Sequence, residues 1–156
     1  MELNKDFREF VALLNEHKVK YLVIGGYAVN FHGYPRYTKD IDFWLWMTEE
    51  NAYGLIQVIK KFGFCNLKLA VDDLMNPENI IQLGYEPFRI DLLMDVAGVD
   101  FEFCYERRIC VELDNTIINF LSIEDLIEVK KLAGRLQDLA DAEQLENILK
   151  KSKDLN

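Results

Sequence analysis

An α+β (or α/β) fold, a mixed β-sheet flanked by helices, is predicted by three features of the 156-residue sequence. Helical apolar periodicity occupies both ends, short apolar strand patterns alternate with helices between them, and glycine or proline marks most junctions. The length suits one domain with one buried core, and no linker composition divides residues 1–156.

Taken in order, residues 4–17 read as an amphipathic helix. Phe7, Phe10, Val11, Leu13 and Leu14 recur at helical spacing, and Asn4 is a suitable cap. Tyr21-Leu22-Val23-Ile24 is a short apolar run closed by two glycines, the pattern of a buried strand. A helix from Gly26 to about His32 ends near Gly33 and Pro35, and residues 34–39 form a polar loop. Asp40 to Met47 alternates and is rich in aromatic residues, as a strand. Thr48 caps a helix that reaches about Lys61 and stops at Gly63. Residues 64–78 have no dominant period beyond a short helical stretch at Asp72–Met75. Asn79–Leu83 and Phe88–Met94 read as two strands joined around Gly84–Pro87, a hairpin that adds to the sheet. Residues 101–121 read as further strands with a turn at Asp114-Asn115. Ser122 opens a helical region, about 122–151, with Ser122-x-x-Asp125 as a capping box and a break near Gly134.

Composition narrows the function classes. Half the residues are hydrophobic, which disfavours disorder. The net charge of -9 disfavours duplex DNA, though it leaves a nucleotide or RNA substrate open, because bound cations mediate phosphate contacts in acidic sites. The three cysteines lack Cys-x-x-Cys spacing, and we expect reduced, mostly buried thiols rather than disulfides or a zinc site. Neither a signal-peptide pattern nor a membrane-length apolar run is present, so a soluble cytoplasmic protein is expected. His17 and His32 have no ligand-type partner at metal spacing.

The chemistry concentrates in residues 21–42 and near residue 91. Asp40 and Asp42 are alternate residues of one strand, about 6.6 Å apart and on one face, with Ile41 facing the core. Such a pair can share one or two divalent cations, and Mg²⁺ suits a few carboxylates plus phosphate oxygens. A solvated strand end is the bland reading of Asp-x-Asp alone. Gly25-Gly26 lies where a strand becomes a helix, and glycine there permits close approach of a phosphate. Neither a dinucleotide fingerprint nor a Walker loop is present. Asp91 is an isolated acid on an apolar strand and the best third carboxylate. A ladder with Arg89 on the same strand face is its structural alternative, and Asp95 is a rival. Arg36, Thr38 and Lys39 lie between glycines and acids, suited either to phosphate binding or to a solvated loop.

Together these residues resemble the DNA polymerase β-like nucleotidyltransferase superfamily. The resemblance is an apolar strand at Tyr21–Ile24, Gly25-Gly26, thirteen intervening residues, Asp40-Ile41-Asp42, and Asp91 on a later strand. Arg36-x-Thr38-Lys39-Asp40-Ile41-Asp42 is similar to the small bacterial and archaeal group that includes lincosamide-type enzymes and toxin–antitoxin nucleotidyltransferases. Lys130, Arg135, Asp138 and Asp141 resemble that group's helical Lys…Arg-x-x-Asp-x-x-Asp pattern. From spacing alone, Lys131 and Arg135 make a basic stripe or a salt-bridged surface helix. Gly26 departs from the many members with serine there.

The resemblance implies Mg²⁺ on Asp40 and Asp42 with Asp91 completing the site as base. It also implies that Gly25, Gly26, Arg36, Thr38, Lys39, Lys130 and Arg135 bind nucleotide. The expected activity transfers an NMP group from an NTP to a hydroxyl on RNA, a small molecule or a protein, releasing pyrophosphate. The alternatives are a non-catalytic nucleotide-binding module of the same fold, including one half of a toxin–antitoxin pair with a protein partner, and an interaction domain whose aspartates are merely superficial.

Overall fold

The computed structural model describes residues 3–155. Its first helix, α1 (Lys5–Glu16), follows the predicted pattern. The Asn4 side chain accepts from the amides of Asp6 and Phe7, and Phe7, Phe10, Val11 and Leu14 are buried. Burying each such side chain contributes about 1.5–3 kcal/mol. Then come β1 (Tyr21–Ile24), α2 (Gly25–Phe31), β2 (Ile41–Leu45), α3 (Glu49–Phe62) and a 3₁₀ turn at Val71–Met75. The chain continues through β3 (Ile80–Leu83), β4 (Ile90–Leu93), α4 (Phe101–Glu106), β5 (Ile109–Leu113) and β6 (Thr116–Phe120). It ends in α5 (Ile123–Ala133) and α6 (Leu136–Asp154).

The six strands form one mixed sheet in the order β3-β4-β2-β1-β6-β5. β1 runs antiparallel to β2 and parallel to β6, whereas β2 runs parallel to β4. β3 and β4 are the predicted antiparallel pair. Alternation assigns the two sheet faces. Tyr21 and Phe43 touch each other, and Phe10 of α1 packs on Phe43. Trp44, on the opposite face, meets Phe101 of α4 edge-on. Phe43 and Trp44 are both buried, so the aromatic content of β2 is core rather than a binding surface.

Three expectations need correction. Residues 101–106 are helical, not a strand. The Asp100 carboxylate caps the Phe103 amide, and burial of Phe101 and Cys104 supplies the tertiary reason. The Ser122 hydroxyl caps the Asp125 amide, but Asp125 turns away to pair with Arg107, so only half of the capping box forms. Cys65 and Cys110 are exposed and only Cys104 is buried; all three are free thiols. Among the described residues, no helix is long and apolar enough to cross a membrane.

Candidate active site

The site begins where β1 ends. Gly25 opens α2 at φ +69°, a conformation that disfavours other residues, and a Cβ on it would overlap the Asp42 carboxylate. The register that pairs Ile24 with Asp42 causes this closeness. A Cβ on Gly26 would lie 2.8 Å from Thr38 Oγ1. The Thr38 hydroxyl therefore occupies space beside Gly26 toward which a serine there would project, and it donates to the Asp40 carbonyl at 3.0 Å.

Asp42 and Asp91 are register partners on the parallel strands β2 and β4, so they lie side by side. Asp40 precedes β2, and the Ile41 amide donates to the Arg89 carbonyl, tying that end of β2 to β4. Arg89 reaches across the acids. It donates from Nε and Nη2 to the two Asp91 carboxylate oxygens at 2.7 and 3.0 Å, and lies 2.9 Å from Asp40 Oδ2. The Arg89–Asp91 ladder is thus present and extends to Asp40. Among the described residues, no three acidic, histidine or cysteine side chains converge as a ready-made metal cage. Arg89 engages two of the three acids.

Among the described residues, Asp42 is the acid left without a donor. Burial pushes its pKa up to about 7, with Asp91 and Asp40 adding repulsion. Burial also raises Asp40, against the pull of Arg89. Asp40 Oδ1 is buried without a hydrogen-bond partner among the described residues. A buried orphan oxygen and an unneutralised carboxylate are groups that a divalent cation would satisfy.

The C-terminal helices supply the facing wall. Gly134 takes φ +72° and ends α5, and Arg135 begins the entry to α6. That break removes any continuous basic stripe through Lys131 and Arg135; Lys131 pairs instead with Glu146. Lys130 lies 3.2 Å from Asp138 and 3.1 Å from Asp141. Arg135 Nε donates to Asp138 at 2.7 Å, and Arg36 pairs with the fully buried Asp141. Burial alone would raise Asp138, but its bonds from Arg135 and Lys130 bring it below the usual carboxylate range.

These elements enclose a cleft of about 480 Å³ lined by Gly25, Gly26, Arg36, Thr38, Lys39, Asp40, Asp42, Lys130 and Arg135, together with Tyr37, Glu86, Gln137 and Asp138. Nine of the ten residues expected from sequence to hold metal or nucleotide therefore border one space; Asp91 is buried beside it under Arg89. Sequence reasoning missed Arg89 as a bridge, although its position two before Asp91 was the signal. Glu86 and Gln137 carried no such signal, because only the tertiary fold brings them here. His32, by contrast, is satisfied by the Leu121 carbonyl at 2.7 Å.

A mixed sheet with a glycine turn after β1, two acids at the start of β2 and a third on β4 defines a nucleotidyltransferase fold. The chain belongs to the family described as nucleotidyl transferase of unknown function (DUF2204), whose model matches residues 3–156. It is similar in structure to a candidate nucleotidyltransferase, TM1012, from Thermotoga maritima, with 21% identity over 93% of this chain and 91% of that one and a TM-score of 0.59. The lincosamide antibiotic adenylyltransferase LnuA, solved with lincomycin bound, matches at 15% identity over 94% of this chain and 98% of that one, TM-score 0.58. ANT(2″)-Ia, solved with adenylyl-2″-tobramycin, matches at 13% identity over 91% of each chain, TM-score 0.52. No curated protein matches the sequence.

Proposed function

We propose that this protein transfers a nucleoside monophosphate from an NTP to an acceptor hydroxyl or similar group, with release of pyrophosphate. The observation that carries the reading is Asp42, without a donor among the described residues, beside Asp91 and against Gly25, at the edge of a cleft lined with cations. Family membership and the adenylyltransferases of like fold support it.

The charge balance favours a divalent cation. The cleft and its immediate partners hold five cationic side chains (Arg36, Lys39, Arg89, Lys130, Arg135) against six carboxylates (Asp40, Asp42, Glu86, Asp91, Asp138, Asp141). A triphosphate entering that field needs added positive charge. Mg²⁺ held by Asp40 and Asp42, with Asp91 adjoining, fits the orphan oxygen and the crowded carboxylates. When bound it supplies charge neutralisation and a template for the phosphate oxygens.

The chain's own residues do the rest. Gly25 and Gly26 let phosphate oxygens approach the backbone. Lys39, whose contact with Glu86 is long at 3.9 Å, is the cation freest to follow the triphosphate. Lys130, Arg135 and Arg36 line the cleft in a network fixed by two buried acids, which limits their reorganisation when anion binds. The acceptor oxygen forms a bond to the α-phosphorus, and the bond from that phosphorus to the αβ-bridging oxygen breaks. Asp91 takes the hydroxyl proton, with Arg89 holding its carboxylate in place until the acceptor arrives. Arg89 also gives support to a second reading, a nucleotide-binding module without turnover, because it neutralises two of the three acids.

The deciding experiment incubates the protein and Mg²⁺ with each α-labelled NTP and, separately, total RNA, total protein and small alcohols. Transfer of label, reduced about 10²-fold or more by Asp40→Asn, is expected. Tight NTP binding with no release of pyrophosphate on any acceptor favours the binding module. No NTP binding, together with an indifferent Asp40→Asn, removes both readings.

A further inference from the structure

We propose that a second pocket beside Asp42 holds the acceptor, and that this acceptor is a small amphiphilic alcohol, neutral or cationic, rather than a polynucleotide. This inference rests on the transferase reading above.

The pocket has a volume of about 300 Å³ and shares Gly25, Asp42, Lys130, Arg135 and Asp138 with the main cleft. From Asp42 it extends toward the segment after β4 and the face of α5. Its own walls are apolar, formed by Ile24, Leu93, Val96, Leu126 and Val129, and its one unshared charge is the exposed Asp95. The cleft is the converse. Gly26, Arg36, Thr38 and Lys39 line the cleft and are absent from the pocket.

In-line displacement requires the attacking and leaving oxygens on opposite sides of the phosphorus. The groups suited to a leaving pyrophosphate lie in the cleft. With the α-phosphorus at the shared wall, the attacking oxygen comes from the pocket. There the acceptor hydroxyl bonds to phosphorus, pyrophosphate departs with the bridging oxygen, and the proton passes to Asp91, the register neighbour of Asp42 two residues before Leu93.

The walls select the acceptor. About 300 Å³ is the lower end of small-molecule pockets and suits one ring with short substituents. Lys130 and Arg135 border the pocket too, but Asp138 and Asp141 already engage them. Asp95 makes no hydrogen bond or ion pair among the described residues, so its negative charge is available at the mouth. That charge attracts an ammonium group and repels a phosphodiester chain.

Methyl NMR of the full chain, with Mg²⁺ and a non-hydrolysable ATP analogue, tests this with 2-phenylglycinol as probe and mandelate and a short single-stranded RNA as comparators. Phenylglycinol is expected to shift the methyls of Leu93, Val96, Leu126 and Val129, and mandelate is not. Ala133→Trp, at an exposed pocket position, should weaken the probe at least about tenfold while leaving analogue affinity unchanged. Asp95→Asn should remove the preference for phenylglycinol over mandelate. No probe shift overturns the proposal, as do shifts caused by the RNA. Shifts caused by the analogue alone, with the probe excluded, assign the pocket to the nucleotide base and overturn it as well. Failure of the analogue to move the backbone amide signals of Gly25 and Thr38, recorded on the same samples, is a separate result, and it removes the parent transferase reading instead.

Discussion

Gly25 is the residue whose identity the site depends on most directly. Its φ of +69° alone makes a side chain cost about 1–3 kcal/mol there. The added Cβ would also displace the Asp42 carboxylate. Gly25→Ala should therefore lower stability by that amount and, if the protein transfers nucleotides, reduce the rate by about 10²-fold through misplacement of Asp42. Denaturant melts and a label-transfer assay check the two parts. Gly26 makes a sharper point, because the departure from serine is accompanied by Thr38 in the adjoining space. Gly26→Ser should cost about 1–3 kcal/mol by overpacking, and adding Thr38→Ala should recover part of it by removing the Oγ1 contact, the Cβ contact remaining. Strict additivity in that double-mutant cycle would show that the two positions are not exchanging one hydroxyl site.

At the scale of elements, the junction between α5 and α6 shapes the cleft wall. Gly134 ends one helix, and α6 turns Asp138 and Asp141 inward to meet Lys130, Arg135 and Arg36. Asp141 is fully buried and also accepts from Gln137 at 2.9 Å. Asp141→Asn should cost about 3–5 kcal/mol, since it leaves Lys130 and Arg36 underpaired in a buried network. Chemical denaturation measures that loss. A change below about 0.5 kcal/mol would mean the network is no firmer than a surface ion pair. The helical break near Gly134 was readable from sequence, because glycine in the left-handed region is a common helix stop. The pairing of the acids was not, since it depends on α6 folding back along α5.

For the whole molecule, the crowded carboxylates set a pH dependence. Asp42 has a pKa of about 7 in the fold against roughly 3.9 when unfolded. The folded state then binds the proton more tightly. Its contribution to stability declines as pH rises through the window from about 4 to 7, and levels off above it. Asp138, lowered in the fold, contributes in the opposite sense at lower pH. The clean measurement is the difference in Tm between wild type and Asp42→Asn without added metal. It should become more negative from about pH 5 to pH 7.5, and Mg²⁺ should reverse the trend by favouring the ionised carboxylates. A difference that stays flat would show that Asp42 is not held under the repulsion described.

The sequence by itself determined the strand-and-helix order outside residues 101–106, the glycine turn, and the two acids where β2 begins. Those features are local: alternation, apolar period and turn chemistry act within a few residues. Residues 101–106 escaped it because burial of Phe101 and Cys104 against the sheet outweighed a strand-like local composition. Only the tertiary structure decided that β4 lies beside β2, which puts Asp91 next to Asp42, and that Arg89 reaches back to Asp40. It also decided that α5 and α6 carry Lys130 and Arg135 to the same cleft. The physical reason is that strand neighbours and buried ion pairs are chosen by which surfaces bury one another, a property of distant segments that no local pattern encodes.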